Sequence, residues 1–231
     1  EGLVGDLQGV AEALHGDADL VVALVVEGPV DPAQHPLEAA GRRTQEDLVV
    51  MVPRGGAYHL DAAVLCFPSH WRLRDKLGGS ASAIHGPVPG YADELAEKVD
   101  RFLDRLRPDV IVARRNWSVH GDDALHAPVP PADPAPVEAS RVGEALWLRS
   151  ERQTLRRLPA SGAVLFTIRV QQAPFAAFAD HPVAAGRLAR RLVAQPDALT
   201  AMNGLAPHRT AVVTFLRQVA ETAGGDATEP S

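Results

Sequence analysis

Arginines cluster in one short stretch of the sequence, Trp147–Arg169, around a single acid, Glu151. Guanidinium groups bind carboxylates in bidentate geometry, and a carboxylate held between arginines stays ionised. The stretch could therefore clamp an anionic group through its arginines and orient a cationic one through Glu151. An internal ion-pair network that fixes the local structure is the alternative, and both stay open. The arginines are Arg149, Arg152, Arg156, Arg157 and Arg169, with Arg141 just upstream.

His85 is a second candidate, because it is followed at once by Gly86-Pro87-Val88-Pro89. Prolines fix the backbone, and a rigid backbone lets one metal–nitrogen bond set the direction of an imidazole ring. His85 is therefore a candidate for an axial metal ligand. A histidine that caps a turn by bonding to nearby carbonyl oxygens is the competing interpretation.

A third group comprises His120, Asp122 and His126, with Asp123 beside them. Two histidines and a carboxylate are the ligand set of non-haem iron sites. All of them lie in a Gly- and Pro-rich loop, where no helix or strand fixes their geometry. The sequence therefore favours a solvated loop over a metal site.

Strands must position the arginine stretch. Its first half alternates in character and its second half is rich in apolar and β-branched residues, which predicts two neighbouring strands joined around Leu158–Gly162. Gly55-Gly56 is a turn signal between two further strands. The other predicted strands are Leu20–Val26, Asp47–Val52, Ala57–Phe67 and Val110–Val119.

Helices are predicted where apolar residues recur at intervals of three and four. They cover Leu3–Leu14, Ala92 to the residue before Pro108, Pro174–Ala179, Val183–Ala194 and Pro207–Thr222. The fold class is therefore α+β: a largely antiparallel sheet with helices packed on one side and a helical C-terminus. We predict a single domain over residues 1–223 and a disordered tail over residues 224–231.

Composition excludes several classes of function. The net charge of −6 argues against nucleic acid or an anionic membrane as the main partner. A single cysteine, Cys66, cannot form an intrachain disulfide or a Cys₄ metal site. The apolar runs are too short to span a bilayer and no secretory signal is visible, so we expect a cytoplasmic protein. Phosphate-loop, dinucleotide-binding, nucleophile-elbow and zinc-protease motifs are absent from the sequence.

Four blocks of residues, with Asn116-Trp117 between the third and fourth, stand in an order that is far more specific than any one motif. In order and spacing they resemble the alpha subunit of haem-dependent oxidative N-demethylases, over roughly residues 45–170. The blocks are Cys66–Trp71, Asp75–Gly78, Ile84–Gly90 and Arg149–Pro159, the last followed by Phe166–Arg169.

This resemblance implies a PAS-like domain in which haem b packs against an antiparallel sheet. In the characterised relative, the haem iron activates O₂ to oxidise dimethylamine, with electrons delivered by flavin and iron–sulfur groups on other subunits. By resemblance, this chain is a monooxygenase-type oxidoreductase that oxidises a small amine or related nitrogen compound with a separate reductase. The alternative from another class is a haem-binding sensor or carrier without turnover.

The resemblance also implies roles for individual residues. His85 becomes the ligand of the haem iron, and Arg149 and Arg169 become cofactor-binding residues that hold the propionates or polarise O₂. Glu151 and Arg152 become catalytic residues, with Glu151 holding a substrate ammonium group or fixing the arginines.

Departures from the family leave the substrate and the ligand open. His70 stands where the family has a small residue before the tryptophan, and His70, His120 or His126 could replace or supplement His85. Asn203-Gly204-Leu205 stands where the family tends to show Lys-Gly-Leu, and no acid precedes it in Ala198–Met202. Dimethylamine is therefore not assigned as the substrate.

Overall fold

The computed structural model describes residues 35–86, 95–132 and 134–225, and the side chains of all these except residues 223–225. The predicted helix Leu3–Leu14 and the predicted strand Leu20–Val26 lie outside the described residues. So does most of the predicted tail, residues 226–231.

Within the described residues, five strands form one sheet in the order β2-β1-β5-β4-β3. Strand β1 lies between β2 and β5 and pairs antiparallel with both. Gly55 and Gly56 join β1 to β2 with positive φ angles of 59° and 84°, which glycine adopts without strain. The strands are β1 (Glu46–Arg54), β2 (Ala57–Val64), β3 (Val112–His120), β4 (Trp147–Arg157) and β5 (Val164–Pro174).

Helices fill the connections and the C-terminal part of the chain, so the predicted α+β class and helical C-terminus are confirmed. No described helix is both long and apolar enough to cross a lipid bilayer. The α-helices are α1 (Pro36–Gly41), α2 (Ala81–Ile84), α3 (Ala96–Asp104), α4 (Val142–Ala145), α5 (Pro182–Ala194), α6 (Asp197–Met202) and α7 (Arg209–Gly225). Short 3₁₀ helices span Leu73–Asp75, Ala139–Arg141, Phe175–Asp180 and Ala206–His208.

The chain divides into two compact units, and the division runs through β3, β4 and β5. The first unit contains the described residues up to Asn116, together with Leu125–Pro130 and Glu151–Val170. The second unit contains Trp117–Ala124, Pro131–Ser150 and the chain from Gln171 onward. The interpretation of residues 1–223 as a single domain stays a prediction.

In the first unit, helices cover both faces of the sheet. Leu48 and Val50 of β1 pack with α1 on one face. Val49 and Met51 pack with α2 and α3 on the opposite face. The expectation that helices pack on one side only is therefore wrong. The physical reason is the continuous apolar run Leu48–Val52, which gives β1 two apolar faces that must both be withdrawn from water.

The second unit has its own core, built by α5 and α7 around buried residues from the strands and loops. Its loop Asn203-Gly204-Leu205 closes on the end of β3, where the Val119 N–H donates to the Asn203 carbonyl oxygen at 2.8 Å. Leu205 is fully buried in this core. The segment that departs from the family pattern in sequence therefore serves as a packing contact within this unit.

Candidate functional site

The chain between β2 and α2 is tied to the edge of β2. The Gly78 N–H donates to the Leu60 carbonyl oxygen at 2.7 Å, and the Leu60 N–H donates to the Gly79 carbonyl oxygen at 3.0 Å. Gly78 has φ +79°, a left-handed conformation that favours glycine. Ser80 then caps α2 by accepting from the Ala83 N–H at 3.2 Å. These bonds fix where α2 begins, and so where the residue after it lies.

His85 is that residue. It ends α2, and its Nδ1 lies 2.8 Å from the Ala81 carbonyl oxygen. A carbonyl oxygen only accepts, so Nδ1 carries the proton and donates, and the lone pair resides on Nε2. Burial lowers the pKa of His85; the bond to Ala81 opposes this, and the positive charges of Lys76 and Arg114 lower the pKa further. His85 is therefore a neutral imidazole with a fixed tautomer.

Four polar side chains meet on β3 and β4, and we call them the β3–β4 polar cluster: Arg114, Asn116, Glu151 and Gln153. The Arg114 Nε donates to the Gln153 Oε1 at 2.6 Å, and the Gln153 Nε2 donates to the Glu151 Oε2 at 2.9 Å. The Asn116 Nδ2 lies 3.5 Å from the same Glu151 oxygen. Gln153 is buried, whereas Arg114 and Asn116 are exposed, so the cluster opens to solvent.

The β3–β4 polar cluster shares a face of the sheet with α2. Val112 of β3, Leu155 of β4 and Phe166 of β5 pack in the same apolar core as Ile84 of α2. Side chains alternate along a strand, so the cluster residues, two and four positions away, point to that same side. The charge of Arg114 is close enough to His85 to lower its pKa. His85 and a carboxylate-containing polar cluster therefore belong to one face of the first unit.

The hairpin arginines do not form one site. Arg157 donates to the carbonyl oxygens of Leu106 at 2.8 Å, Gly162 at 2.6 Å and Leu103 at 2.5 Å. It also donates to the Tyr58 hydroxyl at 2.9 Å. The bonds to Leu103 and Leu106 satisfy carbonyl groups at and just after the end of α3, which have no partner inside the helix. Arg157 therefore has a structural role, which it fulfils through neutral oxygen acceptors.

Arg152 and Arg169 lie on the sheet face opposite to Glu151. Arg169 is paired with Glu46 across β5 and β1, with 3.5 Å between the Arg169 Nη1 and the Glu46 Oε1. It thus shares the face of Leu48 and Val50. Arg152 is exposed and alternates with Glu151 along β4. The predicted grouping of Arg152 and Arg169 with Glu151 is therefore not present in the first unit.

The family model for the haem-dependent oxidative N-demethylase, alpha subunit-like family matches residues 15–213, which is most of the chain. The chain belongs to this family. The resemblance inferred from the four blocks is thereby confirmed, and the family's name states haem dependence and oxidative N-demethylation.

The family's first block has a buried anchor in this chain. Asp47 of β1 is buried, and its Oδ1 accepts from the Cys66 N–H at 2.6 Å and from the Phe67 N–H at 3.0 Å. The buried carboxylate thus fixes the chain where β2 has ended. His70 follows with φ 59°, unusual for a residue other than glycine, and its N–H donates to the Ala127 carbonyl oxygen at 2.7 Å.

The other candidate histidines are held in different ways. His120 belongs to the second unit, where it is buried and its Nε2 lies 3.0 Å from the Ser118 Oγ. His126 belongs to the first unit and is exposed, with its Nδ1 3.1 Å from the Cys66 carbonyl oxygen. Arg149, a predicted cofactor-binding residue, is fully buried in the second unit. Among the residues that the structure describes, no three His, Cys, Asp or Glu side chains gather as a metal site would require.

Sequence reasoning missed Arg114, Gln153 and Lys76. Gln153 follows Glu151 by two residues, so strand alternation was a usable signal for it. Arg114 likewise follows the apolar Val112 by two residues, so strand alternation places both on one face of the sheet. The Lys76 Nζ donates to the Ile84 carbonyl oxygen at 2.6 Å, a contact for which the sequence held no signal beyond membership of a family block.

Proposed function

We propose that this chain is the haem-binding component of an oxidative N-demethylase, with His85 as the ligand of a haem b iron. One observation carries this proposal: a neutral imidazole of fixed tautomer shares a sheet face with an apolar core and a carboxylate-containing polar cluster. The antiparallel sheet with helices against it supports a PAS-like scaffold.

The donor chemistry of His85 fits a haem iron. Metal-binding imidazoles donate one N–H to a backbone carbonyl or carboxylate, which fixes the ring and leaves the other nitrogen as the ligand. The Nδ1 contact with the Ala81 carbonyl oxygen supplies this arrangement. Because burial lowers the pKa of His85, protons compete less with a metal for its ring nitrogen.

The propionates of a haem are carboxylates that need cationic partners. Arg114 is a guanidinium on the same face as His85, and the latter's pKa responds to its charge. We therefore add Arg114 to Arg149 and Arg169 as a propionate-binding candidate. Arg114 is the better placed for a haem on this face, because Arg169 pairs with Glu46 on the opposite face.

Glu151 supplies the charge that an amine substrate needs. A small secondary amine is an ammonium ion at neutral pH, and a carboxylate is its natural partner. Gln153 and Asn116 orient the Glu151 carboxylate in this cluster, and both are neutral amides. Arg152, on the opposite sheet face, takes no part in this arrangement.

A bound haem supplies the activation of O₂. Oxidation of one N-methyl group then consumes O₂, two electrons and two protons, and yields the demethylated amine, formaldehyde and water. Glu151 holds the amine nitrogen, and the apolar face around Phe166 and Ile84 excludes water. The electrons come from a separate reductase that carries flavin and iron–sulfur groups.

The test is amine turnover by haem-loaded protein, supplied with NADPH, O₂ and a surrogate reductase carrying flavin and an iron–sulfur cluster. Formaldehyde release is measured over a series of small N-methylated amines. Glu151→Gln is expected to raise KM for the amine about tenfold or more, because it loses one charge-assisted hydrogen bond, and to leave the haem spectrum unchanged.

Glu97→Gln is the matched control, since Glu97 is 89% exposed on α3 and its nearest cation, Arg101, is 3.9 Å away. It is expected to behave as the unaltered protein does. Haem binding without formaldehyde from any N-methylated amine would contradict the proposal and favour the sensor or carrier alternative.

A further inference from the structure

Lys76 links two of the family blocks, Asp75–Gly78 and Ile84–Gly90. Its Nζ donates to the Ile84 carbonyl oxygen at 2.6 Å and lies 5.8 Å from the centre of the Trp71 ring. Its backbone is also fixed, because its N–H donates to the Leu73 carbonyl oxygen at 2.9 Å and its carbonyl oxygen accepts from the Gly79 N–H at 3.0 Å. Both the backbone and the ammonium group of Lys76 are therefore fixed in position.

The bond made by Lys76 lies at a critical point of α2. A helix of four residues is too short to be stable alone, and the carbonyl groups of its last turn have no partner within it. The Ile84 carbonyl belongs to the peptide bond that joins Ile84 to His85. A cation bound to that oxygen fixes the peptide plane from which the His85 side chain departs.

Two bonds together determine the ring position. The Nδ1 contact with Ala81 sets the rotation of the imidazole, and the Lys76 contact with Ile84 sets the backbone that carries it. Without the second bond, the end of α2 can fray, and His85 can then exchange its bond to Ala81 for one to water.

We propose that Lys76 is a positioning residue for His85: by binding the Ile84 carbonyl oxygen, it fixes the direction and tautomer of the imidazole. The value of this to the protein rests on the proposed function, in which His85 binds iron. The fixing itself is a property of the protein without haem.

The first experiment uses the haem-free protein with ¹⁵N-labelled histidine. Long-range ¹H–¹⁵N spectra distinguish a ring protonated on Nδ1 from one protonated on Nε2. We expect His85 to be protonated on Nδ1 in the unaltered protein and in Lys76→Arg, which keeps a cationic donor over Trp71. In Lys76→Met, which keeps the apolar stem, we expect the signals to broaden or to move toward a mixture of tautomers.

Lys98→Met is the matched control, because Lys98 is exposed on α3 and its loss should leave the His85 signals unchanged. Signals of His85 in Lys76→Met that match those of the unaltered protein would overturn the proposal. A Lys76→Arg variant that folds but has lost the Nδ1-protonated form of His85 would also overturn the proposal. This comparison remains decisive if Lys76→Met does not fold.

The second experiment titrates the same variants with haem and follows the Soret band. Loss of a residue that orients a ligand typically weakens metal affinity 10- to 100-fold, and we expect about tenfold for Lys76→Met. If Lys76→Met alters the His85 signals but neither the unaltered protein nor any variant binds haem, the proposed function is contradicted and the positioning role stands. If Lys76→Met and the unaltered protein bind haem through His85 with equal affinity and have the same ¹⁵N signals, only the role of Lys76 is contradicted.

Discussion

Single residues in this chain acquire their roles from the groups that hold them. His85 bonds to a backbone carbonyl, which fixes one tautomer, and the Glu151 carboxylate is oriented by the amide of Gln153. Arg157 belongs to the same arginine-rich stretch, but its guanidinium N–H groups donate to carbonyl oxygens around the end of α3. The type of a residue therefore limits what chemistry it can do, and its hydrogen-bond partners determine whether it is available for that chemistry.

His208 provides a prediction on pH at this scale. Burial lowers the pKa of His208 below its ordinary value of 6.5. Below pH 6.5 the unfolded chain takes up a proton that the folded protein resists, so the free energy of unfolding falls as the pH falls. We expect the urea midpoint to drop between pH 7.5 and pH 5.5, and to drop less in His208→Gln. An equal drop in both proteins would contradict this role for His208.

The separation of the arginines could be predicted only in part. Strand alternation along β4 puts Arg152 opposite to Glu151 once the strand is known, and the sequence does show that strand. The contact of Arg114 with Gln153 joins residues 39 positions apart, and it depends on the register between β3 and β4. Register is set by packing over the whole sheet rather than by local residue type, so this pair could not be found from the sequence.

At the level of elements, short pieces of structure are stabilised by contacts made outside them. α2 has four residues and depends on Ser80, on Lys76 and on the pairing of Gly78 and Gly79 with β2. The sequence around it is rich in Gly and Ser, which lower helix propensity. The helix forms despite that composition because these bonds position it.

Gly204 gives a stability prediction for the C-terminal elements. It has φ +71°, and a Cβ atom placed on it would lie 2.7 Å from the Val119 carbonyl oxygen. Gly204→Ala therefore combines backbone strain with a steric clash, and we expect it to lower the free energy of unfolding by about 2–4 kcal/mol. Urea denaturation measures this change.

Gly78→Ala is the matched control, because Gly78 has φ +79° and nothing lies within 4 Å of its added Cβ. It is expected to cost about 1–2 kcal/mol, the strain alone. Equal losses in the two variants would show that the contact with Val119 has no energetic role.

At the level of the whole molecule, the order of elements followed from the sequence and the layering did not. Alternation and turn residues such as Gly55-Gly56 predicted β1 to β4 and the start of β5 within a few residues, because these signals are local. Both sheet faces are covered in the first unit because Leu48–Val52 is apolar at every position. Such an unbroken apolar run has no periodicity that distinguishes a strand from a buried helix. The four family blocks gave the family, because their order constrains a long stretch of the chain at once.

The central claim is that this family member binds haem through His85, and a haem titration of the purified protein tests it most directly. The absorption spectra of the ferric and ferrous forms are compared for the unaltered protein, His85→Ala and His59→Ala. His59 is the control because its Nδ1 also lies near a backbone carbonyl oxygen, that of Gly78 at 3.1 Å. We predict one haem per chain with a Soret band that His59→Ala retains and His85→Ala loses or shifts. The absence of a Soret band in the unaltered protein, or spectra unchanged in His85→Ala, would contradict the account.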